Sequence, residues 1–177
     1  MKTLRHPWMP FVRTIKTALL TIAGTGLLLS STSAFATDGK LYSAASCQAI
    51  NGNHPSNYVF GTFNHLNFPT SLRCPIVRDV TTKGIKKAWI RVVDAHFTEN
   101  VECTLYSLRT DVNGLNGMQG FWSTKSTSGS DSAVQALEFG NLDHHPNNSQ
   151  YLFSCKVPAA YQGGSWSGVT GYYVEEK

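Results

Sequence analysis

From Gln150 to Val157 the side chains alternate, with Tyr151, Phe153, Cys155 and Val157 in one phase and Leu152, Ser154 and Lys156 in the other. An extended chain turns successive side chains to opposite faces, so this segment reads as a strand that buries one face and wets the other. Pro158, which has no N–H to give to a ladder, ends it. The stretch from Val101 to Arg109 repeats the pattern with Val101, Cys103 and Leu105 inward, while Tyr106 and Leu108 make its second face partly apolar as well. Trp89, Ile90, Val92 and Val93 mark a strand over Lys87 to Phe97. Weaker signals lie at Tyr58 to Phe63, Ser71 to Val77, Gly120 to Thr124, Ala133 to Phe139 and Val169 to Glu175. About eight short strands, parted by turn chemistry such as Asn113-Gly114 and His145-Pro146-Asn147-Asn148, predict an all-β fold: an antiparallel β-sandwich or jelly-roll. Helical periodicity is confined to a short candidate at Ser43 to Ile50, and the Ser/Thr/Gly run from Ser123 to Ser132 reads as a loop tip.

All four cysteines, Cys47, Cys74, Cys103 and Cys155, fall among these strands and none before residue 47. Four cysteines allow three pairings. The local pattern favours Cys47–Cys74, which flank a Gly/Asn/Pro-rich segment in need of a staple, and Cys103–Cys155, each in the inward phase of an alternating strand. No pair has the Cys-x2–4-Cys spacing of a zinc site, so no metal is expected.

The preceding segment explains why the cysteines would meet an oxidant. Lys2, Arg5, Arg13 and Lys16 lead into an apolar run, Ala18 to Leu29, and then a small polar stretch ending Ala34-Phe35-Ala36. About a dozen apolar residues suit a signal-peptide core and fall short of the ~20 needed to span a bilayer. The expected domains are therefore a signal peptide at 1–36, cut between Ala36 and Thr37, and a single disulfide-stapled β-domain at 37–177, secreted or periplasmic, with no stable membrane span after cleavage. Cleavage removes four of the 15 Lys/Arg and none of the 11 Asp/Glu, leaving eleven against eleven. A near-neutral domain argues against a nucleic-acid partner, which needs a net basic face. The cluster Lys83, Lys86, Lys87 and Arg91 reads instead as a solvated strand edge.

Chemistry is harder to find. Asp143-His144-His145 offers three potential ligands, but neighbouring side chains on a strand diverge. Asp94-Ala95-His96 is better arranged, since residues i and i+2 share a face and a carboxylate can orient an imidazole, yet the chain has no Gly-x-Ser-x-Gly to supply a nucleophile. Glu99 with Glu102, and Glu138 with Asp143, read as solvent-facing acids at strand ends. No catalytic residue, cofactor or metal is expected. Aromatic side chains are the remaining lead, with Trp122, Trp166 and Tyr172 as candidate ligand-binding residues, because flat rings can support a sugar ring.

Taken in order, Cys47-Gln48, Cys74-Pro75-Ile76-Val77, Trp89-Ile90-Arg91-Val92-Val93-Asp94, Val101-Glu102-Cys103-Thr104-Leu105, Tyr151-Leu152-Phe153-Ser154-Cys155-Lys156-Val157-Pro158 and Val169-Thr170-Gly171-Tyr172-Tyr173 resemble a group of short secreted bacterial proteins with two disulfides and no assigned function. The resemblance implies an exported β-domain and carries no activity. The expected function is a non-enzymatic exported β-sandwich that binds a glycan or envelope component. A secreted hydrolase built on Asp94 and His96 or on Asp143 and His144, and a structural subunit of a surface assembly, are the alternatives.

Overall fold

The computed structural model describes residues 39–50, 52, 55–79, 83–109, 119–143, 149–161 and 164–177. The signal peptide expected at 1–36, the turn at 111–117 and the pair His144 and His145 lie outside them. The described residues form two antiparallel sheets. One contains β1 (Gly39–Ser43), β3 (Ser56–Tyr58), β4 (Gly61–Asn64), β6 (Ile85–Asp94), β9 (Asp131–Phe139) and β11 (Ser167–Glu176). Its order is β3-β4-β11-β6-β9, with β1 beside β11 on the same side as β4. The other sheet contains β2 (Gln48–Ala49), β5 (Thr70–Ile76), β7 (Glu102–Arg109), β8 (Gln119–Ser126) and β10 (Ser149–Val157), in the order β2-β5-β10-β7-β8.

The all-β, antiparallel expectation holds, with eleven described strands in place of about eight. Tyr58 to Phe63 is a hairpin rather than one strand, because Val59 and Phe60 form a turn between β3 and β4. The candidate helix at Ser43 to Ile50 is a single 3-10 turn, Ala44–Ser46, whose Ser43 side chain accepts from the Ala45 N–H, and the chain then extends again as β2. The Ser/Thr run from Ser123 to Ser132 is not a loop tip. Its ends belong to β8 and β9, and only residues 127–130 cross between the sheets, since serine and threonine on an outward strand face pair as well as they solvate a loop. Lys86, Lys87 and Arg91 lie on β6, which is central, so they wet the outer face of the sheet rather than guard an edge.

The inward phases of both sheets meet in one core. Ile90, Val92, Val169, Tyr172 and Val174 come from the six-stranded sheet and Leu72, Leu105, Phe153 and Val157 from the five-stranded one, all buried. Phe153 packs at 5.3 Å from Phe139 and edge-on at 5.7 Å from Tyr172, joining the sheets. Two glycines permit the close pairing of β4 and β11: a Cβ on Gly61 would stand 2.5 Å from the Val169 carbonyl oxygen, and one on Gly168 2.4 Å from that of Thr62.

Both disulfides form as the local pattern favours, Cys47–Cys74 and Cys103–Cys155. Cys103 and Cys155 are direct cross-strand partners on β7 and β10. Disulfides persist in oxidising compartments, which suits an extracellular or periplasmic protein. Among the described residues no helix is long and apolar enough to cross a membrane. The longer cross-link, with a sequence separation of 52, restricts the unfolded chain most. The double variant Cys103→Ala/Cys155→Ala is expected to lose about 4 kcal/mol of unfolding free energy in the chain-entropy account, measured by urea denaturation. A loss below about 1 kcal/mol would refute that account for this fold.

Candidate functional site

Because the core claims Leu105, Phe153 and Cys74, their neighbours Tyr106, Leu152 and Pro75 must face out from the five-stranded sheet. The ladder aligns them. Trp122 of β8 lies opposite Tyr106 of β7, Tyr106 opposite Leu152 of β10, and Leu152 opposite Pro75 of β5. This places one aromatic and apolar row across four strands of an outward face, spanning three strand spacings or about 14 Å. Trp122, at the edge, is 65% exposed.

The next outward row, two residues along each strand, is polar: Thr124, Thr104, Ser154 and Arg73. The Thr104 and Thr124 hydroxyls are 2.9 Å apart. Beyond it comes a charged row, Ser126, Glu102, Lys156 and Ser71. There Glu99, Asn100, Glu102, Ser126, Lys156 and Pro158 line a shallow hollow of about 390 Å³. The outer face of the sheet is thus graded along its strands from apolar to hydroxyl-bearing to charged. A strip of that kind can hold a ligand that has both an apolar face and many hydroxyls.

Of the three aromatic candidates, the structure brings no two together. Trp166 precedes β11 and is 38% exposed. It stacks at 5.9 Å on Tyr58, which stacks in turn at 5.3 Å on Phe60, and it meets His65 edge-on. Tyr172 is not a surface residue. It is fully buried, its ring lies parallel to Tyr42 at 4.9 Å, and its hydroxyl donates to the Pro75 carbonyl at 2.6 Å. The cause is a register shift in β11 between Val169 and Gly171, which exchanges the inward and outward phases before Tyr172. The signal for the sheet-face row was present in the partly apolar second face of Tyr106 and Leu108, but without the strand order it could not be joined to Trp122.

Asp94 and His96 do not form a catalytic pair. The buried Asp94 carboxylate accepts the Val101 and His96 backbone N–H groups, both at 3.2 Å, and the hydroxyls of Thr127 and Ser167. The imidazole turns elsewhere, its Nδ1 accepting the N–H groups of Glu99 at 2.9 Å and Thr98 at 3.3 Å. Both side chains thereby fix the 95–101 connection between β6 and β7. Asp143 is exposed and pairs with Lys177 at 2.9 Å. Among the described residues no group of three or more His, Cys, Asp or Glu could hold a metal ion.

No family model matches the chain, and no curated protein does. Among solved structures it is similar to the CBM36-1 domain of a multidomain xylanase from the hindgut metagenome of Trinervitermes trinervoides, with a TM-score of 0.46 and 13% identity over 77% of this chain and 96% of that one. It is also similar to TmCBM61 in complex with β-1,4-galactotriose, with a TM-score of 0.41 and 12% identity over 79% of this chain and 89% of that one.

Two measurements check these assignments. Asp94→Ala strands several buried donors and is expected to cost about 3 kcal/mol; a denaturation midpoint unchanged from the parent would show that the 95–101 connection holds itself. Burial raises the Tyr172 phenol above its ordinary value of 10.0, and burial likewise raises Tyr42. A phenol whose folded pKa is raised contributes stability that is complete below the unfolded value and is lost as pH climbs through the folded one. Absorbance titration should therefore show late-ionising tyrosines, at least one of which disappears in Tyr172→Phe, with stability declining above about pH 10.

Proposed function

We propose that the protein binds a neutral polysaccharide on the outward face of its five-stranded sheet, as an exported binding domain cleaved after Ala36. The observation that carries this reading is the registered row Trp122–Tyr106–Leu152–Pro75, with the Thr124–Thr104–Ser154–Arg73 row beside it. A sugar ring has one face of C–H groups and a rim of hydroxyls. The first packs against an indole or phenol ring, and the second exchanges hydrogen bonds with hydroxyl and guanidinium groups. The platform runs across four paired strands on an open sheet face, so it suits an extended chain rather than a small molecule enclosed in a cavity. Its parts are already held by the ladder, which lowers the entropy lost on binding.

Affinity electrophoresis through gels containing xylan, galactan or mixed-linkage glucan tests the reading. At least one polysaccharide should retard the protein. Trp122→Ala should weaken that binding about tenfold or more, as loss of an aromatic anchor does, while Trp166→Ala should leave it unchanged. Retardation that survives Trp122→Ala, or none with any of the three, would overturn the assignment.

A further inference from the structure

The outer face of the six-stranded sheet carries a different feature. Its central strand β11 places Gly171 between Ser43 of β1 and Arg91 of β6. The next outward row is Leu41, Tyr173 and Trp89. Leu41, Ser43, Trp89, Arg91 and Thr170, with the buried Gly171 at the base, line a hollow of about 430 Å³. Its walls stand two strand spacings apart, about 10 Å.

Those walls differ in chemistry. Leu41, 72% exposed, gives an apolar side opposite Trp89. Trp89 is held by Tyr173, stacked at 5.5 Å, and the Arg91 guanidinium lies 4.6 Å from its ring centroid. The indole thus steadies the cation at the rim. Among the described residues no carboxylate forms an ion pair with Arg91. Lys86 pairs with Glu175 at 2.7 Å, and Glu138 stands opposite Trp89 on β9, on the same outward face but across β6 from the hollow. A planar, permanently charged guanidinium with free N–H groups matches a carboxylate in two-point geometry.

We infer that this hollow is a second binding site, which takes one carboxylate-bearing sugar residue, a hexuronate, of an acidic glycan. Leu41 and Trp89 receive the C–H edges of the ring and Arg91 receives the carboxylate. The inference rests on the glycan-binding reading for the ligand's being a sugar, and its place is independent of the Trp122 face. The molecule would then carry two unlike sites on opposite sheets, one for neutral and one for acidic chains.

Calorimetry with tetragalacturonate and with a neutral galactose tetrasaccharide, each on a Trp122→Ala background and at low ionic strength where a surface charge is least screened, tests it. Tetragalacturonate should bind at least about tenfold more tightly than the neutral chain. Arg91→Gln should remove that advantage and Arg91→Lys restore part of it, because a point charge replaces the two-donor fork. Leu41→Asp, which sets a like charge on an exposed wall, should weaken uronate binding as well. Trp122→Ala by itself should leave uronate binding unchanged from the parent. Equal affinity for the two chains, insensitivity to Arg91→Gln, or Arg91-dependent binding of polyglutamate as strong as that of the uronate would each overturn the inference. Arg91-dependent uronate binding in a protein that no neutral polysaccharide retards would sustain this site and sink the Trp122 platform.

Discussion

The packing of Phe153 against Phe139 and Tyr172 ties the two sheets together, and much of what the surface can do follows from it. A strand has a side-chain period of two, so burying Phe153 commits Leu152 and Ser154 to solvent, and a one-residue slip would exchange every side chain between core and surface. β10 passes that phase to both neighbours through its ladders with β5 and β7, and β7 passes it to β8. Trp122 faces out because Leu105, Cys103 and Phe153 face in. The Cys103–Cys155 bond, between directly opposed residues on β7 and β10, holds the same register covalently.

The six-stranded sheet obeys the same constraint with one interruption. The register shift in β11 lets Val169 and Tyr172 both point inward although their positions differ by three. That interruption buries a tyrosine the alternation alone would allow on the surface, and it sets Gly171 in the outward row between Ser43 and Arg91. A single irregularity thus removes one candidate ligand platform. Bulges commonly re-aim side chains in this way.

The polar residues that first suggest catalysis are spent on architecture. Asp94 is buried where the chain leaves β6, and backbone N–H groups with no ladder partner need an acceptor there. His96 caps the N–H groups of Thr98 and Glu99 in the same connection. Such a carboxylate and imidazole resemble two members of a triad in sequence, since their spacing serves a tight connection as well as it serves proton transfer.

Much of this protein was legible without coordinates. Alternation in about eight short segments parted by turns pointed to an all-β, antiparallel fold, and the inward phase of Cys103 and Cys155 favoured their pairing, because both properties depend on neighbours a few residues apart. The excess of cations before residue 37 was equally plain from the chain. Strand order was not, for it is set by contacts between residues far apart in sequence. Only the tertiary structure could put Trp122, Tyr106, Leu152 and Pro75 in one row, leave Trp166 against Tyr58, and turn Tyr172 into the core through a register shift that no local pattern announces.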